Sequence, residues 1–157
     1  MRSGVTLTAQ GYREPVRKSN SSVPLSTGGR VDLVLQTFSV PRPVTSDTVA
    51  WMVHFAKTGS ADERIRRSAE DAVRLVQPKN YLSEALATGK WVETNIRYTK
   101  DPKRIERLAH PTILLERRFG DCDELSCLIA SQLLSLGHSA DYVTVAFPGD
   151  ADYSHVF

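Results

Sequence analysis

The stretch RFGDCDELSCLIASQLLSLG, Arg118 to Gly137, constrains this chain most, because it marks both ends of one buried helix. Leu125, Leu128, Ile129, Leu133 and Leu136 recur at helical spacing and define an apolar stripe. Asp121 stands at the N-cap, where a carboxylate accepts from the free N–H groups of the first turn. Gly137 stands where the helix stops, since glycine enters the left-handed conformation at least cost. Cys122 is therefore expected in the first turn. Beyond Gly137, Asp141 to Phe147 is dense in β-formers and reads as a strand. PGDAD reads as a turn, and YSHVF opens a second strand. The two strands are expected to pair as a hairpin, with His155 on the second.

This order places the parts of a thiol site in sequence. The positive end of a helix lowers a cysteine pKa, and its N–H groups can hold an oxyanion. A histidine that takes and returns the proton completes the minimal pair. Cys122 is the candidate nucleophile and His155 the candidate base. Asp121, Asp123 and Glu124 pull the other way, because carboxylates beside a thiol disfavour its thiolate.

The rest of the chain supplies a scaffold. Residues 1–29 hold Arg2, Arg13, Arg17 and Lys18 against one acid, Glu14, lack periodicity, and read as an extended or disordered basic arm. Val31 to Val40 reads as a strand ended by Pro41 and Pro43. Thr45 to Asp47 offer caps for VAWMVHFA, a short helix or a strand, which Gly59 is expected to break. Ser60 and Glu63 form a capping box for a helix carrying Ile65, Ala69, Ala72, Val73 and Val76, ending before Pro78. Tyr81 to Tyr98 reads as a second amphipathic helix with Leu82, Leu86, Val92 and Ile96 on or near one face and Gly89 weakening its middle. A turn at Asp101-Pro102, a short helical stretch and a break at Pro111 complete it.

Composition narrows the function classes. A net charge of +2 argues by itself for neither nucleic acid nor membrane binding. The Arg-rich stretch Arg97 to Arg118 is interleaved with acids and lacks aromatic interleaving, so it reads as a solvated face. No long apolar run or signal peptide is present, so a soluble protein of a reducing cytoplasm is expected. Cys122 and Cys127 lie about 140° apart on a helix, so they neither bridge nor share a metal readily. No metal or cofactor is called for. Cys127 is expected in the core, His138 as a solvated cap, His54 as structural and His110 in a loop.

The segment FGDCDELSCLIASQLLSLGHSADYVTV, followed by SHVF, resembles the core of the transglutaminase-like superfamily of papain-type cysteine peptidases. Its motif positions match Gly120, Cys122, Glu124, Leu136, Gly137, His155, Val156 and Phe157, and WVETNIRYTKDP is similar to the preceding family helix through Tyr98 and Asp101. The doubled acid of Gly-Asp-Cys-Asp is similar to members encoded in bacteriophages and prophages. The resemblance implies an α+β fold in which the Cys-bearing helix packs on an antiparallel sheet, with a transglutaminase-like domain over residues 30–157 and its core over 81–157. It implies acyl transfer at an amide bond by Cys122 and His155, chiefly hydrolysis of a peptide or isopeptide bond, acting on a protein or a peptidoglycan peptide. Trp91 is either core or the tryptophan with which transglutaminases help hold the oxyanion. The family's third catalytic residue, an Asp or Asn, belongs on a strand after the histidine, whereas this chain ends at Phe157. A fragment of a longer product is expected, the alternatives being a strand from a partner or a degenerate site. In a different class, the domain is a docking or structural component of a phage particle, with the basic arm tied to neighbours and the thiol vestigial. A third option is a peptide-binding module without turnover.

Overall fold

A computed structural model describes residues 6–8, 37–38, 45–101, 106–147 and 155–157. The described elements are, in order, β1 (Thr6–Thr8), β2 (Thr37–Phe38), α1 (Thr45–Ser60), α2 (Glu63–Val73), α3 (Tyr81–Asn95), β3 (Arg97–Tyr98), β4 (Glu106–Arg107), α4 (Pro111–Arg117), β5 (Phe119–Gly120), α5 (Cys122–Ser135), β6 (Asp141–Val145) and β7 (His155–Val156). The fold class is α+β. No helix among the described residues is long and apolar enough to cross a membrane.

Helix α5 is the hub, and two apolar clusters form on its sides. Val49, Met52, Val53 and Ala56 repeat along α1 at helical spacing and meet Cys127 and Ala130 of α5, with Leu108, Tyr142 and Val156 closing that cluster. On the other side Leu128 packs with Ile65 of α2, Val92 and Ile96 at the end of α3, and Leu114 of α4. The second cluster explains the amphipathic pattern of α2 and the apolar end of α3. Gln132 adds a polar tie, its Nε2 donating to Ser68 Oγ at 2.9 Å in the buried α2–α5 contact.

The helix-bearing sheet is antiparallel, in the order β1-β6-β7, with Leu7 opposite Tyr142 and Thr144 opposite Val156. Strand β1 thus gives part of the basic arm a defined place, the remainder of residues 1–29 lying outside the described residues. The expected strand over 31–40 is described only at Thr37–Phe38, which pairs antiparallel with β4. The expected turn at 148–152 also lies outside the described residues.

Several local expectations are corrected. Gly59 does not break α1; a Cβ there would come within 3.0 Å of Ser131 Oγ and 3.1 Å of Pro111 Cγ, so the glycine lets α1 approach α5 and α4. The cap of α2 is Asp62, whose Oδ1 accepts from Arg64 N–H at 2.9 Å, while Ser60 Oγ turns back to Lys57 O. Leu82 and Leu86 of α3 are exposed, and the chain leaves the helix before Tyr98. In place of the expected helix before Pro111 there is β4, with 102–105 outside the described residues. Pro111 itself opens α4, as suits a first-turn residue with no N–H to satisfy.

Candidate active site

Cys122 is the first residue of α5, placed there by a cap and a short parallel pair. Asp121 Oδ1 accepts from Glu124 N–H at 3.4 Å. Upstream, β5 pairs in parallel with β3, Arg97 N–H donating to Arg118 O at 2.9 Å and Thr99 N–H to Gly120 O at 2.7 Å. Gly120 is required sterically, since a Cβ would lie 2.5 Å from Glu124 Oε2 and 2.7 Å from Leu114 Cδ1. Glu124 is buried and accepts from Ala109 N–H at 2.9 Å and from the Arg117 guanidinium. Burial outweighs the attraction of Arg117 and holds the Glu124 carboxyl above its usual range. The spacing Gly120, Cys122, Glu124 thus has a mechanical meaning: the glycine makes room for the carboxylate that ties α5 to α4 and to the Ala109 backbone.

The Cys122 sulfur is partly buried and neutral at rest. Its thiol donates to Asp123 Oδ1 at 3.3 Å. Burial first, then the charge and hydrogen bond of Asp123 and the charge of Asp121, push this thiol up to about 12; the backbone N–H of Val156 acts on the sulfur in the opposite sense. Burial and the two flanking carboxylates therefore act together to favour the protonated thiol.

His155 lies opposite Val145 on β7. Its ring packs edge-on against Phe157 at 4.7 Å between centroids and near Phe147 at 6.2 Å. Because side chains alternate along a strand, the imidazole shares a face with Phe157 while Val156 points into the core. Among the described residues no hydrogen bond joins the imidazole to the Cys122 thiol. What β7 brings to α5 is backbone: the Val156 N–H reaches the sulfur, and Ser126 Oγ donates to Val156 O at 3.3 Å.

One further side chain joins the site. Tyr98 is half-exposed beside Gly120, and burial together with the negative field of Asp121 and Asp123 raises its phenol. It enters the sequence only as a motif position, because a two-residue parallel pair between distant segments leaves no local signal. Asp101, the other upstream motif position, accepts from Arg107 N–H at 2.6 Å and so holds the chain entering β4.

The remaining candidates have structural places. Cys127 is fully buried, its thiol donating to Met52 O at 3.5 Å. His138 is not a solvated cap: Nε2 lies 2.9 Å from Glu84 Oε2, and the ring stands edge-on to Tyr81. His110 is not simply a loop residue, since it caps α4 through Nδ1 and Thr112, and burial lowers its pKa. His54 packs edge-on against Trp51 and at a tilt against Phe55. Trp91 borders the second cluster and donates from Nε1 to Asp71 Oδ2 at 2.8 Å, which ties α3 to α2. No group of three His, Cys, Asp or Glu side chains among the described residues is arranged to hold a metal.

No model of a known protein family, no characterised protein and no solved structure matches this chain.

Proposed function

We propose that the chain carries a transglutaminase-like thiol site performing acyl transfer at an amide bond, with Cys122 as nucleophile and His155 as base. The observation that carries this is the position of Cys122 at the first residue of α5, against the strand that bears His155. The sulfur attacks the amide carbonyl carbon while its proton passes to the imidazole, and the Cys122 N–H at the helix start holds the oxyanion. The C–N bond then breaks, the amine leaves with the proton from His155, and a thioester remains. Water hydrolyses the thioester to an acid, giving cleavage of a peptide or isopeptide bond; an amine in place of water gives a cross-link. Turnover needs the imidazole, in place of the Val156 amide, against the sulfur.

The test is alkylation of Cys122 by iodoacetamide from pH 5 to 9, read by mass spectrometry, with buried Cys127 as internal control. A fast reaction at Cys122 near pH 7 that is lost in His155→Ala supports the proposal. Slow reaction at both cysteines, indifferent to His155, refutes it.

A second reading is favoured by the Cys122 thiol, pushed up to about 12 by burial and by the flanking carboxylates. In it the domain is a docking component of an assembly such as a phage particle, with a vestigial thiol. Loss of assembly on deleting residues 1–29, with Cys122→Ala assembling normally, would favour this reading.

A further inference from the structure

Arg97 and Arg118 are backbone neighbours at the β3–β5 pair, Arg97 N–H donating to Arg118 O, and the thiol chemistry does not use their side chains. Arg97 and Phe119 face each other in the parallel register, with the Arg97 guanidinium 6.0 Å from the Phe119 ring centre. Arg117 approaches the same ring at 5.2 Å, and Arg118 stands over Trp91 at 5.7 Å. The aromatic interleaving missing from the linear sequence is thus supplied by the fold.

These arginines differ in what they have left to offer. Arg117 is committed to buried Glu124. Arg97 and Arg118 are exposed and make no ion pair among the described residues. The nearby carboxylates are engaged elsewhere, Asp71 by Trp91 and Arg74, and Glu116 by Arg64. A guanidinium resting on a ring keeps its N–H edge free, with less side-chain freedom to lose on binding. Arg118 is held further by its left-handed backbone, φ 61°, at the end of α4.

We infer that Arg97 and Arg118 form a docking surface for an acidic peptide segment, each guanidinium taking one carboxylate in a two-pronged hydrogen bond. One feature favours peptide carboxylates over nucleic acid: the net charge of +2 gives little attraction for a polyphosphate. The docking surface stands whether or not Cys122 turns over a substrate.

The experiment uses the full chain and a fluorescein-labelled hexaglutamate peptide, with binding read by anisotropy at low salt. The wild type should bind saturably, and Arg97→Gln/Arg118→Gln should bind at least about tenfold more weakly. Arg66→Gln/Arg67→Gln on α2 removes the same charge elsewhere and should change affinity by less than about twofold. Arg97→Gln/Arg118→Gly, which suits the left-handed turn, repeats the loss without backbone strain. Absence of binding, or equal binding by the wild type and both Arg118 variants, overturns the assignment. So does tighter binding of a labelled oligothymidylate with the same arginine dependence. Cys122→Ala should bind as the wild type does, which keeps this result separate from the fate of the thiol proposal.

Discussion

The Cys122 thiol donates to the carboxylate of Asp123, the next residue in the chain, at 3.3 Å. The contact makes Asp123 a brake on the sulfur, since both its charge and its hydrogen bond favour the protonated thiol. Asp123→Asn removes the charge and leaves a side chain of the same shape. The thiol pKa should fall, and Cys122 alkylation by iodoacetamide at pH 8 should speed up by about threefold to tenfold. An unchanged rate would mean that burial alone holds the proton.

Gly120 and Glu124 occupy a shared space that leaves no room for a methyl group. Gly120→Ala pushes against a carboxylate already tied to Arg117 and Ala109 N–H, and against buried Leu114, so neither neighbour can yield freely. The substitution should destabilise the fold by about 2 kcal/mol, in the range of overpacked cores. Urea denaturation checks this, and an unaltered midpoint would show that the α4–α5 junction is looser than its contacts imply.

Cys127 couples the core to alkaline pH. Burial raises its thiol to about 12, whereas a cysteine in the unfolded chain ionises near 8.5. Its folded pKa lies above its unfolded one, so the stability it lends is present below about pH 8.5 and is lost as pH rises toward 12. Over that window each pH unit costs about 1.4 kcal/mol. Tyr142, also raised by burial, acts in the same direction from higher pH. Cys127→Ala should lower stability at pH 7 through lost packing, yet show a shallower decline between pH 9 and 11. Parallel declines in the two proteins would rule out the thiol as the source.

What the sequence made legible was local. Asp121 and Gly137 bracket α5 because capping chemistry acts within one turn, and Asp121 does accept from Glu124 N–H. Asp141 to Val145 forms a strand paired with the one carrying His155. What it hid depended on distant partners. Periodicity put Leu82 and Leu86 near Val92 and Ile96, but only the last two meet α5 and its neighbours. Gly59 reads as a breaker until α4 and α5 are seen to press on it, and Pro111 both ends one segment and starts another. The face on which His155 stands is set by the pairing register of β7, which no local pattern states.

The Arg117–Glu124 pair gives the α4–α5 junction a pH dependence of its own. Glu124 is 1% exposed and Arg117 21%, so the carboxylate, not the guanidinium, bears most of the desolvation. Arg117→Met leaves that carboxylate charged with only Ala109 N–H and its own helix start for support, which should cost about 3–5 kcal/mol at pH 7. Burial already raises the Glu124 pKa, and loss of the cation raises it further. The raised folded pKa means that protonation relieves the variant, so its deficit against wild type should shrink as pH falls from 7 toward 4.5. Glu124→Gln in the same background should recover most of the loss at pH 7 and remove the pH dependence. Thermal unfolding of the three proteins at both pH values decides it: a deficit constant with pH would assign Arg117 to packing on Phe119 rather than to charge.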